Sequence, residues 1–281
     1  MIVVRTVSEL RTAVRAWRRN GDRIGLVPTM GYLHDGHLSL ADLVRRRVDR
    51  VILTIFVNPA QFGPGEDLDA YPQDEAGDLD KARYRDVDLV FIPNDGEMYP
   101  AGAETVVSLD RLPKHLCGLS RPVHFAGVAT IVTKLFVVTE PHVAIFGEKD
   151  FQQLQVIRRL ARDLLMDIEI LGGPTVREAD GLAMSSRNRY LSAEERAAAP
   201  AVYRSLRAAR AAVAAGARDA SGLLRDVREA IVAAGGRLDY AAIVDPETLE
   251  DLDVVDGAAH AAVAAFFGEA RLIDNLALTD D

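Results

Sequence analysis

Cysteine is almost missing from this chain: Cys117 is the only one in 281 residues. An intrachain disulfide and a cysteine-built zinc site are therefore both excluded. An excess of positive charge is missing too. Lys and Arg number 33 against 42 Asp and Glu, a formal net charge of −9, which argues against a nucleic-acid groove or an anionic membrane surface as the main partner. An anionic small substrate stays open, because a few local cations and helix N-termini can hold phosphate inside an acidic protein. Long apolar runs are lacking: Met1-Ile2-Val3-Val4-Arg5 is apolar only briefly before the chain turns helical and basic. Neither a signal peptide nor a spanning segment is expected, and the cytoplasm is the default compartment. Low-complexity tails and internal repeats are absent as well. The alanine-rich stretch from Ala197 to Ala217 carries regularly spaced Arg and Leu and reads as helix rather than disorder.

What is there is a soluble globular composition, 49% hydrophobic and 27% charged, long enough for one large domain or two smaller ones. Up to Leu171, short apolar runs alternate with amphipathic ones. Strands are expected over Arg23–Pro28, Arg50–Val57, Val87–Ile92, His142–Phe146 and Ile168–Leu171, and helices over Gly36–Arg47, Asp74–Tyr84 and Phe151–Met166. Such alternation predicts an α/β domain, a parallel sheet covered on both faces. After Gly172-Gly173-Pro174 the composition changes. Helical stretches over Ala193–Ala215 and Ser221–Ala234 precede β-rich pieces at Asp239–Val244 and Ala261–Leu276, the latter with a turn at Gly268-Glu269-Ala270-Arg271. That pattern predicts a smaller α+β domain and a division into residues 1–175 and 176–281.

Four segments carry chemistry. Pro28-Thr29-Met30-Gly31-Tyr32-Leu33-His34-Asp35-Gly36-His37 lies between a predicted strand and a predicted helix, where open parallel sheets bind ligands. Gly31 and Gly36 permit tight turns, and His34 and His37 are spaced so that both rings reach one phosphate. A pair of surface histidines, or half a metal site, is the plainer alternative. The pattern H-x-G-H resembles the nucleotide-binding motif of the nucleotidylyltransferase superfamily. Met184-Ser185-Ser186-Arg187-Asn188-Arg189 offers two hydroxyls and a guanidinium to a polyphosphate, or else is a polar interdomain loop or helix cap. In Phe146-Gly147-Glu148-Lys149-Asp150, Lys149 would meet phosphate near a helix start; an ion pair with Glu148 and a capping role for Asp150 are the alternatives. In Val57-Asn58-Pro59-Ala60-Gln61-Phe62, Asn58 and Gln61 donate and accept, as the hydroxyls and carboxylate of a small polar acid require, although a simple Asn-Pro turn is the better reading of the motif taken alone.

In this order and spacing, these segments resemble the pantothenate synthetases, or pantoate–β-alanine ligases. Tyr71-Pro72, Arg121-Pro122 with His124-Phe125, Gln152-Gln153 and the run Val176–Ala183 extend the match over essentially the whole chain. The resemblance implies a Rossmann-like N-terminal domain, a smaller C-terminal domain closing over the site, and a homodimer. It implies ATP as co-substrate, pantoate and β-alanine as the other small-molecule partners, and a pantoyl adenylate intermediate. By resemblance, Pro28 to His37, Gly147, Glu148, Lys149, Asp150, Val176, Met184, Ser185, Ser186 and Arg187 bind ATP, with His37, His34, Lys149 and Arg187 assisting the reaction. Gln61 and Gln153 hold pantoate, Gln61 also lies beside β-alanine, and Asn58, Arg121 and His124 are carried over to the pocket wall and dimer-side loops. Asp78 falls where some members place a magnesium-associated carboxylate; Mg2+ is otherwise held by the ATP phosphates. Two positions depart from the family pattern: Gln73 stands where Tyr-Pro-Arg is usual, and Val123 where a glycine often precedes His-Phe.

Overall fold

The computed structural model describes residues 1–279. In chain order the elements are β1 (Ile2–Val4), α1 (Val7–Arg19), β2 (Ile24–Thr29), α2 (Asp35–Arg45), β3 (Arg50–Ile55), α3 (Glu75–Tyr84), β4 (Leu89–Phe91), the single turns α4 (Asp95–Met98) and α5 (Cys117–Ser120), α6 (His124–Thr139), β5 (Val143–Gly147), α7 (Phe151–Asp163) and β6 (Glu169–Gly173). Then follow α8 (Ala193–Ala198), α9 (Ala201–Ala214), α10 (Ala220–Ala233), β7 (Arg237–Val244), β8 (His260–Phe267) and β9 (Ala270–Ala277). They form two compact units. The first comprises Met1–Leu109, Arg121–Glu148 and Val156–Pro174; the second comprises Asp110–Ser120, Lys149–Gln155 and the chain from Thr175 onward. No helix among the described residues is long and apolar enough to cross a membrane.

The first unit is built on a six-stranded sheet in the order β1-β4-β3-β2-β5-β6, with every pair parallel. Its central strands are apolar on both faces, as helices on each side demand: Ile24, Leu26 and Val27 of β2 and Ile52 and Leu53 of β3 are wholly buried. The chain runs from β2 outward through β3 to β4, then returns to the other side of β2 as β5. That reversal puts the switch point between the carboxyl ends of β2 and β5, the crevice where such sheets bind ligands. The β2–β5 ladder runs through Gly25–Val143 and Leu26–Ala144. Pro28, which has no amide N–H to give, stands beyond that ladder, which explains how a proline occupies an inner strand.

The second unit packs α9 and α10 against the antiparallel sheet β7-β8-β9. Its core gathers Val202, Leu206 and Val213 from α9, Leu223, Val227 and Ile231 from α10, and Ile243, Val263 and Phe267 from the sheet. The single helix expected over Ala193–Ala215 is two, because Pro200 cannot continue α8 and serves as the N-cap of α9.

Candidate functional site

In the first unit the segment between β2 and α2 is tied down by its own backbone and by α3. Thr29 Oγ1 donates to the Thr54 carbonyl (2.6 Å) and accepts from the Gly31 amide (3.2 Å). Gly31 has φ +85°, and a Cβ there would meet Ile55 Cγ2 at 2.9 Å and Asp78 Oδ2 at 3.1 Å, so the position admits only glycine without rearrangement. Tyr32 follows at φ +51°, an uncommon conformation for a bulky residue. It is held by Asp78 of α3, whose two carboxylate oxygens accept from the amides of Tyr32 (2.7 Å) and Leu33 (2.6 Å). Lys81 Nζ donates to the Leu33 carbonyl (2.8 Å) from the same helix. Strain at Tyr32 is thus maintained by surrounding bonds, the arrangement expected where a loop is preorganised for a ligand.

The role carried over for Asp78 as a magnesium carboxylate does not fit this placement. The residue is 1% exposed, and both carboxylate oxygens already accept from loop amides. Burial pushes its carboxyl above the usual aspartate value, against the lowering effect of the Leu33 and Tyr32 amides.

His34 and His37 stand at the start of α2, half-buried, with ring centroids 4.0 Å apart. His34 is the N-cap: its carbonyl accepts from the amides of His37 (2.9 Å) and Leu38 (3.1 Å). The His34 amide in turn makes a long contact of 3.4 Å to His37 Nδ1. That contact favours the tautomer with hydrogen on Nε2, leaving Nε2–H as a donor. Two imidazoles thus lie at the positive end of an eleven-residue helix, where the helix dipole favours negative charge.

Next to this loop lies the amide of Gln61, buried at the turn Pro59–Gln61. Its Nε2 contacts Met30 Sδ at 3.0 Å, and its Oε1 accepts from Asn58 Nδ2 at 3.1 Å. Asn58 is 1% exposed. Its amide also donates to the Gly127 carbonyl (3.2 Å) and accepts from the Tyr99 hydroxyl (2.6 Å). The residue is thus bonded to Gln61, Gly127 and Tyr99, and we propose that it orients the Gln61 amide. Tyr99 had no signature in the sequence. Burial pushes its hydroxyl up to about 12, with the Asn58 bond acting the other way.

Arg121 and His124 grip the backbone of Gln61 instead of facing open space. Arg121 Nη2 donates to the Gln61 carbonyl (3.2 Å), and His124 Nδ1 lies 3.0 Å from the same oxygen. Arg121 Nη1 meets His124 Nε2 at 3.4 Å. A guanidinium only donates, so Nε2 accepts and Nδ1 carries the hydrogen. The Arg121 charge is met by Glu66 through Nε–Oε1 (3.0 Å) and a close Nη2–Oε2 contact. Burial raises the Glu66 carboxyl, but the Arg121 bond and charge outweigh it and hold it below the ordinary glutamate value.

In the second unit, Lys149 and Asp150 lie in the single 3-10 turn that opens α7, Glu148–Asp150, with Lys149 Nζ 3.8 Å from Asp150 Oδ2. Gln153 is half-exposed on the first turns of α7, whereas its neighbour Gln152 is buried and accepts from the Cys117 amide (2.9 Å). Val176 pairs with Met184 through the Met184 amide (3.0 Å), closing a short hairpin whose turn passes through Gly181 at φ +95°. Ser185 caps the turn Ser186–Tyr190 by accepting from the Arg187 amide, and Ser186 is buried. The hairpin is clamped by Arg177, which makes a two-pronged pair with Asp274 of β9 (2.6 and 2.9 Å) and lies over the Tyr203 ring at 3.6 Å. Asp274 and Asn275 were not singled out in the sequence. Two consecutive polar residues inside Leu272-Ile273-Asp274-Asn275-Leu276 were the available signal.

A family model described as pantoate-beta-alanine ligase matches residues 2–277. A pantothenate synthetase of Desulfatibacillum aliphaticivorans is 53% identical over 279 residues, 99% of this chain and 99% of that protein. One of Pseudomonas fluorescens (strain Pf0-1) is 53% identical over 288 residues, covering 100% and 99%. The crystal structure of pantothenate synthetase from Thermus thermophilus matches with a TM-score of 0.95 at 48% identity over 100% of both chains. That of a Francisella tularensis pantoate-beta-alanine ligase, complexed with beta-gamma ATP and beta-alanine, matches with a TM-score of 0.84 at 32% identity over 99% and 98%. By the coverage and level of these matches, the chain belongs to the pantoate–β-alanine ligase family.

Proposed function

We propose that the chain condenses pantoate with β-alanine at the expense of ATP, giving pantothenate, AMP and pyrophosphate through a pantoyl adenylate. The observation that carries this reading within the fold is the contact of Gln61 with Met30. It joins a preset polar amide, suited to a hydroxy acid, to the H-x-G-H loop, suited to a phosphate. In the first step a carboxylate oxygen of pantoate attacks the α-phosphorus and pyrophosphate leaves. Positioning and charge stabilisation do most of the work, since no protein nucleophile is needed. His37 donates through Nε2 toward phosphate oxygen, with His34 beside it, and Gln61 orients the acid. Lys149, Arg187, Ser185, Ser186, Val176 and Gln153 are assigned as further ATP and pantoate contacts on the strength of the motif match. In the second step the neutral amine of β-alanine attacks the acyl carbon and AMP departs with the electron pair. Magnesium, when bound, neutralises the polyphosphate, and we assign it to the phosphates rather than to Asp78.

The family resemblance also carries a homodimer and a cytoplasmic enzyme. A second copy is proposed to cover the face where Val106 and Val137 are exposed, beside a cavity of about 190 Å3 lined by Val7, Met98, Thr105 and Val107; a sedimentation mass of one chain at micromolar concentration would contradict it. The activity itself is tested by mass spectrometry of a reaction holding ATP, magnesium, pantoate and β-alanine. Pantothenate, AMP and pyrophosphate are expected, and ADP with orthophosphate would overturn the reading.

A further inference from the structure

Within the second unit, the turn that carries Lys149 is held from the sheet. Asn275 Nδ2 donates to the Lys149 carbonyl at 2.8 Å. A carbonyl only accepts, so the Asn275 amide is oriented with Oδ1 toward His260, whose Nε2 lies 2.8 Å away. Nε2 therefore carries hydrogen, and the polarity of the whole chain is fixed: His260 donates to Asn275, and Asn275 donates to the Lys149 backbone. His260 also stacks on Phe151, with centroids 3.7 Å apart and planes 3° from parallel. Thus one histidine of β8 touches the residue two places after Lys149 directly and Lys149 itself through one amide. The sheet register makes this possible. His260 pairs with Ala277 and Ala262 with Asn275, so His260 and Asn275 are diagonal neighbours on one face, flanked by two alanines that leave room for them. Asn275 is 8% exposed, so a substitution there removes bonds that water replaces poorly.

We infer that Asn275 and His260 are positioning residues for the adenylation half-reaction, fixing the backbone of Lys149 so that its ammonium group sits where phosphate charge develops. The inference rests on the reading of Lys149 as a phosphate contact. Asn275→Asp is close to isosteric but sets a carboxylate oxygen against the Lys149 carbonyl, turning attraction into repulsion; Asn275→Ala removes both bonds without adding charge and carries the test if the first variant does not fold. Single-turnover formation of pantoyl adenylate from pantoate and ATP should slow by on the order of 10- to 100-fold in each, the scale of a displacement near 1 Å. Transfer to β-alanine from supplied pantoyl adenylate should be unchanged. In a Lys149→Ala background the Asn275 substitutions should add nothing further. Wild-type adenylate formation in both Asn275 variants beside a slow Lys149→Ala enzyme overturns the inference alone. So does equal slowing of both steps, or a further loss in the Lys149→Ala background. A Lys149→Ala enzyme that forms adenylate at the normal rate overturns the reading of Lys149, and the inference with it.

Discussion

Asp78 accepts from two loop amides, and Asp78→Asn would leave one of those donors facing an NH2 group. An unpaired buried donor costs about 1–3 kcal/mol, so urea unfolding should show a loss of that size, together with weaker ATP binding. Raising magnesium should not relieve the ATP defect, as it would for a metal ligand. Glu66 gives a prediction of a different kind. Its folded-state value is held below the ordinary one, so its pair with Arg121 stabilises the protein above that ordinary value and loses its contribution as pH falls through the lowered one. Glu66→Gln should be less stable at neutral pH, and its denaturant midpoint should converge on that of the wild type as pH falls from about 5 to about 3. Parallel curves would remove Glu66 from the account. The histidine pair, Lys149 and Gln61 were legible as residue types in a strand-end context. The supporting partners Tyr99, Glu66, Asn275 and His260 were not, because the partner that gives each its role is distant in sequence or, for the Asn275–His260 pair, on an adjacent strand.

At the scale of elements, short apolar strands bounded by polar turns and helices with apolar spacing announced themselves, and the boundaries of β2, β3, α2 and α3 lie within a few residues of the expected ones. α6 did not. Twelve of its sixteen residues are buried, so it shows no polar stripe to mark its period. Yet it packs against the turn that carries Gln61. At Gly127 a Cβ would stand 2.2 Å from the Ala60 carbonyl oxygen and 2.6 Å from Gln61 Cα, so only glycine allows α6 to approach the Pro59–Gln61 turn so closely. Gly127→Ala should therefore push that turn away, destabilising the protein by about 1–3 kcal/mol and raising the pantoate requirement more than the ATP requirement. Steady-state kinetics with each substrate varied in turn would check it, and equal changes in both would contradict it. β1, only three residues long and exposed at Ile2 and Val3, lay below the length at which alternation can be read.

For the whole molecule, the parallel-sheet architecture followed from alternating strands and helices, and the H-x-G-H loop fell at the switch point that topology creates. The assignment of Asp110–Ser120 and Lys149–Gln155 to the second unit had no signal in composition, because both are short and bounded by residues of the first. The adenylate is the central feature of the proposed reaction. The most direct measurement supplies pantoate labelled with oxygen-18 in its carboxylate, together with ATP, magnesium and β-alanine, and follows the label. Attack of a carboxylate oxygen on the α-phosphorus predicts one labelled oxygen in AMP and none in pyrophosphate. Label in orthophosphate with ADP as the nucleotide product, or AMP free of label, would contradict the account.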